Sequence, residues 1–335
     1  MKKIKLGFMQ GRLSPKIRNQ IQAFPFDSWE NEFKIASENK VDFVLGVGGG
    51  SVMDSAKLIA LLYESNGIVN WNNAFSNYNH PFEYVASKNS SLPFIAVSTT
   101  SGTGSQCTQA AVVSDTKNKE KITLFHRDLF PKVAIIDPKL MLSVPSRVTA
   151  ATGFDAFTHA FESYLGQRTS PLTEYLSLET IRLVVEYLPK AIQKPDSIEY
   201  RTKLAWADTA AGICLSNGGA DLPHPLGEII GGICQRIAHG ETLAIVYPAF
   251  LEYKEKIAAE KFRNIASYLG IEKTPKALTN EVIGLLKTTD LIRSKSRAAI
   301  TLNEQEEILS HPLLKKLDPK NSEKILSIMS QSIEE

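Results

Sequence analysis

Six histidines occur in the chain, and three of them stand, with one aspartate, in contexts that could ligate a metal ion. Asp155 and His159 are four residues apart in GFDAFTHAFE, so on a helix they share a face. His224 lies in DLPHPLGEIIGG, and His239 lies in IAHGE at the start of an apolar run. One carboxylate and three imidazoles suit a borderline divalent ion such as Fe(II), Zn or Ni. The spacing alone leaves another reading open, because an isolated Asp–His pair on a helix is commonly structural. His80, His126 and His311 lack such a context and read as surface or packing residues.

Two small-residue loops offer a different chemistry. In GVGGGSVMDSAK, Gly46 to Lys57, an apolar strand runs into Gly48, Gly49 and Gly50 and then into a helix. Consecutive glycines allow the backbone to approach a ligand closely, and the N-terminus of the helix offers free N–H groups and the positive end of its dipole to a phosphate. Ser51 is placed to cap that helix. The loop is neither a GxGxxG fingerprint nor a Walker A loop, and a tight turn without a ligand is the alternative. The second loop, STTSGTGSQCT from Ser98 to Thr108, also follows an apolar strand and sets Thr99, Thr100, Thr103 and Ser105 beside Gly102 and Gly104. Loops at the carboxyl ends of strands in an open α/β sheet are where ligands bind.

The elements that must position these groups fall into two halves. Residues 1–140 alternate strand and helix patterns: a strand over 4–9, helical character over 29–38, then VDFVLGVGGG, SVMDSAKLIALLY, PFIAVSTT and KVAIIDP. This alternation predicts a doubly wound parallel sheet. From Thr149 onward TAATGFDAFTHAFESYL, TEYLSLETIRLVVEYLPKAI, YRTKLAWADTAAGICLS and ETLAIVYPAFLEYKEKI all carry helical periodicity, which predicts an all-α half. The change comes near residues 137–150, where DPKLMLSVPSRV supplies two prolines.

Size and composition fit this division. At 335 residues, 43% hydrophobic and 22% charged, the chain is of ordinary globular make-up and long enough for roughly two domains. A net charge of +2 points to no nucleic-acid or acidic-membrane partner. Cys107, Cys214 and Cys234 are odd in number and lack CxxC spacing, so they read as reduced thiols rather than a disulfide or zinc framework. No signal-peptide pattern opens the chain, and no segment nears the roughly 20 apolar residues of a membrane helix. A soluble, cytoplasmic protein is expected.

With these residues in view, GGGSVMDSAK, TTSGTGSQ, IIDPKLMLSVPSRVTAATGFDAFTHAFESYL and LPHPLGEIIGG…AHGETLAIVYPAF resemble, in order, the motifs of the iron-containing alcohol dehydrogenases over about residues 40–330. The resemblance implies an α/β dinucleotide-binding domain over 41–145 and a helical metal and substrate domain over 146–335. It further implies a metal cleft between them, a homodimer, and hydride transfer between an alcohol or aldehyde and NAD or NADP. By motif, Gly48, Gly49, Gly50 and Ser51 would hold the cofactor pyrophosphate, Asp54 would lie near the nicotinamide side, and Thr99, Thr100, Thr103 and Ser105 would line the phosphate and ribose path. Asp155, His159, His224 and His239 would bind the metal, Fe(II) first and Zn second. Glu228 stands where many members carry a second active-site histidine four residues after the third ligand, and the interval from His224 to His239 is one residue longer than in many members.

The front of the chain departs further. Residues 1–40, KIKLGFMQGRLSP…QAFPFDSWENEFKIASE among them, resemble the opening of a xylose-isomerase-like sugar phosphate isomerase/epimerase barrel, with a join near Ser37–Asp42. One strand–helix unit cannot make such a barrel, so the segment reads as a replacement of the first part of the cofactor domain. Besides an active dehydrogenase, the sequence therefore allows a chimeric remnant that binds metal but not cofactor. A glycerol dehydrogenase or dehydroquinate synthase-like enzyme ranks behind these, and a sugar isomerase last.

Overall fold

The computed structural model describes Ala36 and residues 40–63, 70–84, 91–292 and 300–334. The strand expected over 4–9, nearly all of the helix expected over 29–38 and the isomerase-like opening lie outside these residues.

Three parallel strands form the described part of the main sheet: β1 (Val44–Gly48), β2 (Phe94–Ser98) and β5 (Val133–Ile136), in the order β1-β2-β5. Val44 pairs with Phe94 and Ile95 with Val133, so the carboxyl ends of all three strands lie on one side. Between β1 and β2 run helix α1 (Gly50–Leu62) and the short α2 (Trp71–Asn77). Helix α1 buries Met53, Ala56 and Ala60 with Phe94 and Ala96 of β2, and its Leu58 and Leu61 join a second small cluster with Ala111, Val113 and Leu124. Burying one face of α1 against strands is the standard arrangement of a βαβ unit.

The sequence reading expected parallel strands only. The structure inserts an antiparallel hairpin, β3 (Ala110–Asp115) and β4 (Glu120–Phe125), after the second loop. Asp115 Oδ1 accepts the N–H groups of Lys117 and Asn118, and Lys119 takes a left-handed φ of 57°, which closes the turn. The runs AAVVSD and EKITLF are six residues each, and the sequence reading assigned no element to them.

The second half is helical as expected, from α3 (Ser146–Leu165), α4 (Pro171–Gln193), α5 (Ile198–Gly218), α6 (Pro223–Ile233) and α7 (His239–Ile257) to α8 (Ala259–Tyr268), α9 (Pro275–Thr288), α10 (Leu302–Leu309), α11 (Pro312–Leu317) and α12 (Ser322–Glu334). Helix α3 is buried almost all round from Thr149 to Leu165, as a helix at the centre of a bundle must be. Phe154, Phe157 and Phe161 on α3 pack around Tyr247 of α7. One apolar cluster runs from Ala150 to Ile333, entirely within this half. All three cysteines are free, and no described helix is long and apolar enough to cross a membrane.

Candidate metal centre and cofactor loops

Because α3 is buried almost all round from Thr149 to Leu165, a polar side chain there is costly unless something inside the protein compensates it. Asp155, His159 and Glu162 lie on one stripe of that helix, and two other helix starts converge on it. Pro223 occupies the first turn of α6, where its fixed φ suits the position, and so places His224 in that turn. His239 is the first residue of α7. It comes close because Gly240 lacks a side chain: a Cβ there would collide with the Ala151 carbonyl, one turn before Asp155.

The result is a cluster around one oxygen. Asp155 Oδ1 lies 3.5 Å from His159 Nε2 and 3.7 Å from both His224 Nε2 and His239 Nε2. Asp155, His224 and His239 offer ligand atoms that all lie within 4.8 Å of one another. His159 stacks on the His224 ring at 4.7 Å and meets the cluster through Asp155. These separations are too long for hydrogen bonds, and Asp155 Oδ1 and His224 Nε2 are buried without a hydrogen-bond partner. Four ligand atoms about 2.1 Å from a tetrahedral ion would be roughly 3.4 Å apart. The donor set and its spacing therefore fit a divalent cation.

The electrostatics agree with that fit. Burial pushes His159 down to about 4 and His239 down to about 3, which leaves both rings neutral near pH 7. Burial alone would raise Asp155, but the surrounding His159, His239 and His224 hold it at about 2. Burial works against a charged His224, yet Glu162 and Asp155 on either side push it up to about 10. His159 and His239 are therefore neutral and Asp155 ionised, the forms in which such groups can ligate a metal, whereas His224 carries a proton.

The two small-residue loops lie against each other at the carboxyl ends of β1 and β2. Helix α1 is capped by Gly49, not by Ser51: the helix starts one residue earlier than expected, so Ser51 sits exposed in its first turn. A Cβ on Gly49 would stand 3.1 Å from Thr100 Oγ1, and one on Gly50 would stand 2.7 Å from Thr103 Cγ2. Gly48 O accepts the Thr99 N–H, and Thr100 Oγ1 is buried without a partner. Asp54 accepts the Ser105 hydroxyl at 2.6 Å on one oxygen and the Val112 N–H at 3.0 Å on the other, so it ties helix α1 to the loop and to the hairpin. Lys57, fully buried, adds bonds to Thr108 Oγ1 and the Ala110 carbonyl. On the far side of the loop, the Gly104 N–H and Gln106 Nε2 both donate to Asp208 of α5 at 2.7 Å. That carboxyl is pushed up to about 7 by burial. The loops are thus fixed to the helical half that carries the metal cluster.

Comparison with known proteins agrees with this architecture. Residues 19–138 match the family described as iron-containing alcohol dehydrogenase, and residues 149–330 match the Fe-containing alcohol dehydrogenase family, C-terminal. The chain belongs to the iron-containing alcohol dehydrogenases. It is 33% identical to the NAD-dependent methanol dehydrogenase of Bacillus methanolicus, over 74% of this chain and 63% of that one. It is 37% identical to long-chain-alcohol dehydrogenase 1 of Geobacillus thermodenitrificans, over 73% of this chain and 60% of that one. The chain thus spans about six tenths of the length of these relatives. An archaeal halo-thermophilic alcohol dehydrogenase from a Red Sea brine pool superposes with a TM-score of 0.80 at 28% identity, over 92% of this chain and 81% of that one. The family match begins at residue 19, inside the segment 1–40 that resembles an isomerase barrel.

Sequence reasoning singled out Glu228 but passed over its partners and several other residues. Glu228 accepts the Thr123 hydroxyl of β4 at 3.0 Å, and Lys121 of the same strand lies beside α6 at Gly231. The hairpin therefore supplies a polar wall next to α6. Its signal was present, since AAVVSD and EKITLF carry β-branched residues on either side of a polar turn. Glu241 of α7 reaches back to the Ala238 N–H and takes a two-pronged bond from Arg147 at 2.7 and 2.8 Å, which fixes the start of α7 beside His239. Glu162 bonds to His224. No spacing in the sequence marks these last contacts, because their partners are 62 to 94 residues away.

Proposed function

We propose that the chain is an NAD(P)-dependent, metal-dependent alcohol dehydrogenase or aldehyde reductase, in which Asp155, His159, His224 and His239 hold the metal, Fe(II) in preference to Zn. The convergence of three imidazole nitrogens on one buried, unpartnered carboxylate oxygen carries this reading. A cation held there supplies Lewis acidity toward an alcohol or carbonyl oxygen. The protein's own part is to keep His159 and His239 neutral and to keep Asp155 ionised, with Asp155, His159 and His224 buried and the His239 side chain 32% exposed on the open side.

For the nicotinamide cofactor we propose the loops. Gly48, Gly49 and Gly50 open the N-terminus of α1 to a pyrophosphate, with Ser51, Thr99, Thr100 and Thr103 offering hydroxyl groups around it. Asp54 and Ser105 act through their mutual bond, which holds the loop in place. The substrate we assign is an alcohol or aldehyde, in keeping with relatives named for methanol and for long-chain alcohols. The isomerase-like opening stays a proposal for residues 1–40, of which 19–40 also fall within the family match.

The test is calorimetric titration of NADH and NADPH into protein loaded anaerobically with Fe(II), followed by aldehyde-dependent oxidation of the nucleotide that binds. Micromolar binding and turnover are expected. Retention of one metal per chain without nucleotide binding would overturn the dehydrogenase reading and leave a metal-binding remnant.

A further inference from the structure

Behind His224 lies a second row of polar groups that nothing in the reaction by itself requires. His224 Nδ1 is 2.8 Å from Glu162 Oε2, and the same oxygen accepts the Asp221 N–H at 2.8 Å. Glu162 is 1% exposed and lies on α3 about two turns beyond Asp155, on the same stripe. Its second oxygen and the Tyr247 hydroxyl of α7 are both buried without a hydrogen-bond partner. Two polar groups therefore stand in line, Glu162 of α3 behind His224 of α6.

We infer that Glu162 is the positioning residue of the metal centre: it fixes His224 with the proton on Nδ1 and the Nε2 lone pair turned toward Asp155. An ionised carboxylate can only accept, so Nδ1 must donate to it. A neutral imidazole so bonded has its lone pair on Nε2, the atom that faces Asp155 Oδ1 at 3.7 Å. The second bond, from the Asp221 N–H, prevents Glu162 from turning away and ties the ring to the start of its own helix. A buried carboxylate is a costly way to satisfy one helix-start N–H, since a neutral amide would serve as well. Its charge has a use only if it makes His224 a stronger ligand, as carboxylate partners of metal-bound histidines do.

The inference rests on the metal-centre reading, and the experiment separates the two. Apo protein is titrated with Co(II) against a chromophoric chelator, and the visible absorption of the Co(II) form and the melting temperature of the apo form are recorded. Glu162→Gln keeps the shape and an acceptor for both N–H groups but removes the charge. It is expected to weaken Co(II) binding by roughly 10- to 100-fold and to shift the Co(II) absorption bands, with apo melting close to wild type. A residue that only caps α6 would leave affinity and spectrum unchanged, and that result in folded E162Q overturns the inference while the metal centre stands. A wild-type chain that takes up no Co(II) overturns the metal centre and this inference with it. Should E162Q fail to fold, Glu162→Asp, which keeps the charge but shortens the reach to His224 Nδ1, is expected to weaken Co(II) binding by a few-fold, and wild-type affinity in that folded variant overturns the inference.

Discussion

His224 is the residue whose charge changes most on going from the free protein to the metal-bound one. Flanked by Glu162 and Asp155, it is pushed up to about 10 and so carries a proton at neutral pH. A metal ion must displace that proton from Nε2. The expected outcome is release of about one proton per ion at pH 7, with affinity rising close to tenfold per pH unit below pH 10. Calorimetry in buffers of different ionisation enthalpy checks both. Asp208 gives a second residue-scale prediction, this time about stability. Its carboxyl is raised by burial from 3.8 to about 7. Between those values the unfolded chain loses the proton while the folded chain keeps it, so stability is full below about pH 4, falls as pH rises to 7 and then levels off. Asp208→Asn removes that slope while keeping an acceptor for the Gly104 N–H. Relative to wild type, the variant should gain on the order of 2 kcal/mol between pH 5 and pH 7.5, measured by urea unfolding. Equal slopes for the two proteins would show that Asp208 is ionised throughout.

Among elements, the approach of α7 to α3 decides whether a site exists. Gly240 sits where any Cβ would meet the Ala151 carbonyl, so Gly240→Ala must push the start of α7 outward and carry His239 with it. Backbone cannot yield as a side-chain tip can. The variant should lose about 2–4 kcal/mol of stability, the range of an overpacked core site, and most of its metal affinity. Metal analysis after dialysis and thermal melting measure the two effects. The helices α3, α4, α5 and α7 were legible in the sequence to within a few residues, because each is a long uninterrupted helical pattern, whereas α6, only 11 residues long, was not singled out. The hairpin was not, because two short runs joined by a polar turn are hard to tell from a connection. Yet the hairpin brings Lys121 and Thr123 beside Glu228 and is itself held by Asp54 and Lys57. Asp54 thus stands out as a structural pin, a role that its position in the glycine motif does not suggest.

At the scale of the whole molecule, apolar burial is unevenly divided. Among the described residues, one cluster from Ala150 to Ile333 holds the helical half together, while the α/β half has two small clusters of five and seven buried residues. The last described strand of the sheet, β5, leaves Val133 49% and Ile135 46% exposed. Less buried apolar area means less stability, so the halves should not unfold together. Urea unfolding followed by both near-ultraviolet and far-ultraviolet circular dichroism should show two transitions, the first leaving most of the helix content and the metal in place. A single coincident transition would mean that Asp208, Gln106 and the loop contacts couple the halves more tightly than their burial suggests.

The sequence by itself determined the division into an α/β and a helical half, the two small-residue loops after strands, and the four metal-binding candidates, because periodicity, glycine runs and an i, i+4 pair are local properties of a chain. Which atoms meet was decided only in three dimensions. That three Nε2 atoms surround one oxygen of Asp155 depends on Gly240 admitting α7 against α3 and on Pro223 starting α6 beside it. That Glu162 stands behind His224 and Glu241 fixes the start of α7 depends on contacts between residues far apart in the chain. Side chains at such separations leave no periodic trace, since their pairing is imposed by close packing of helices that the sequence specifies one at a time.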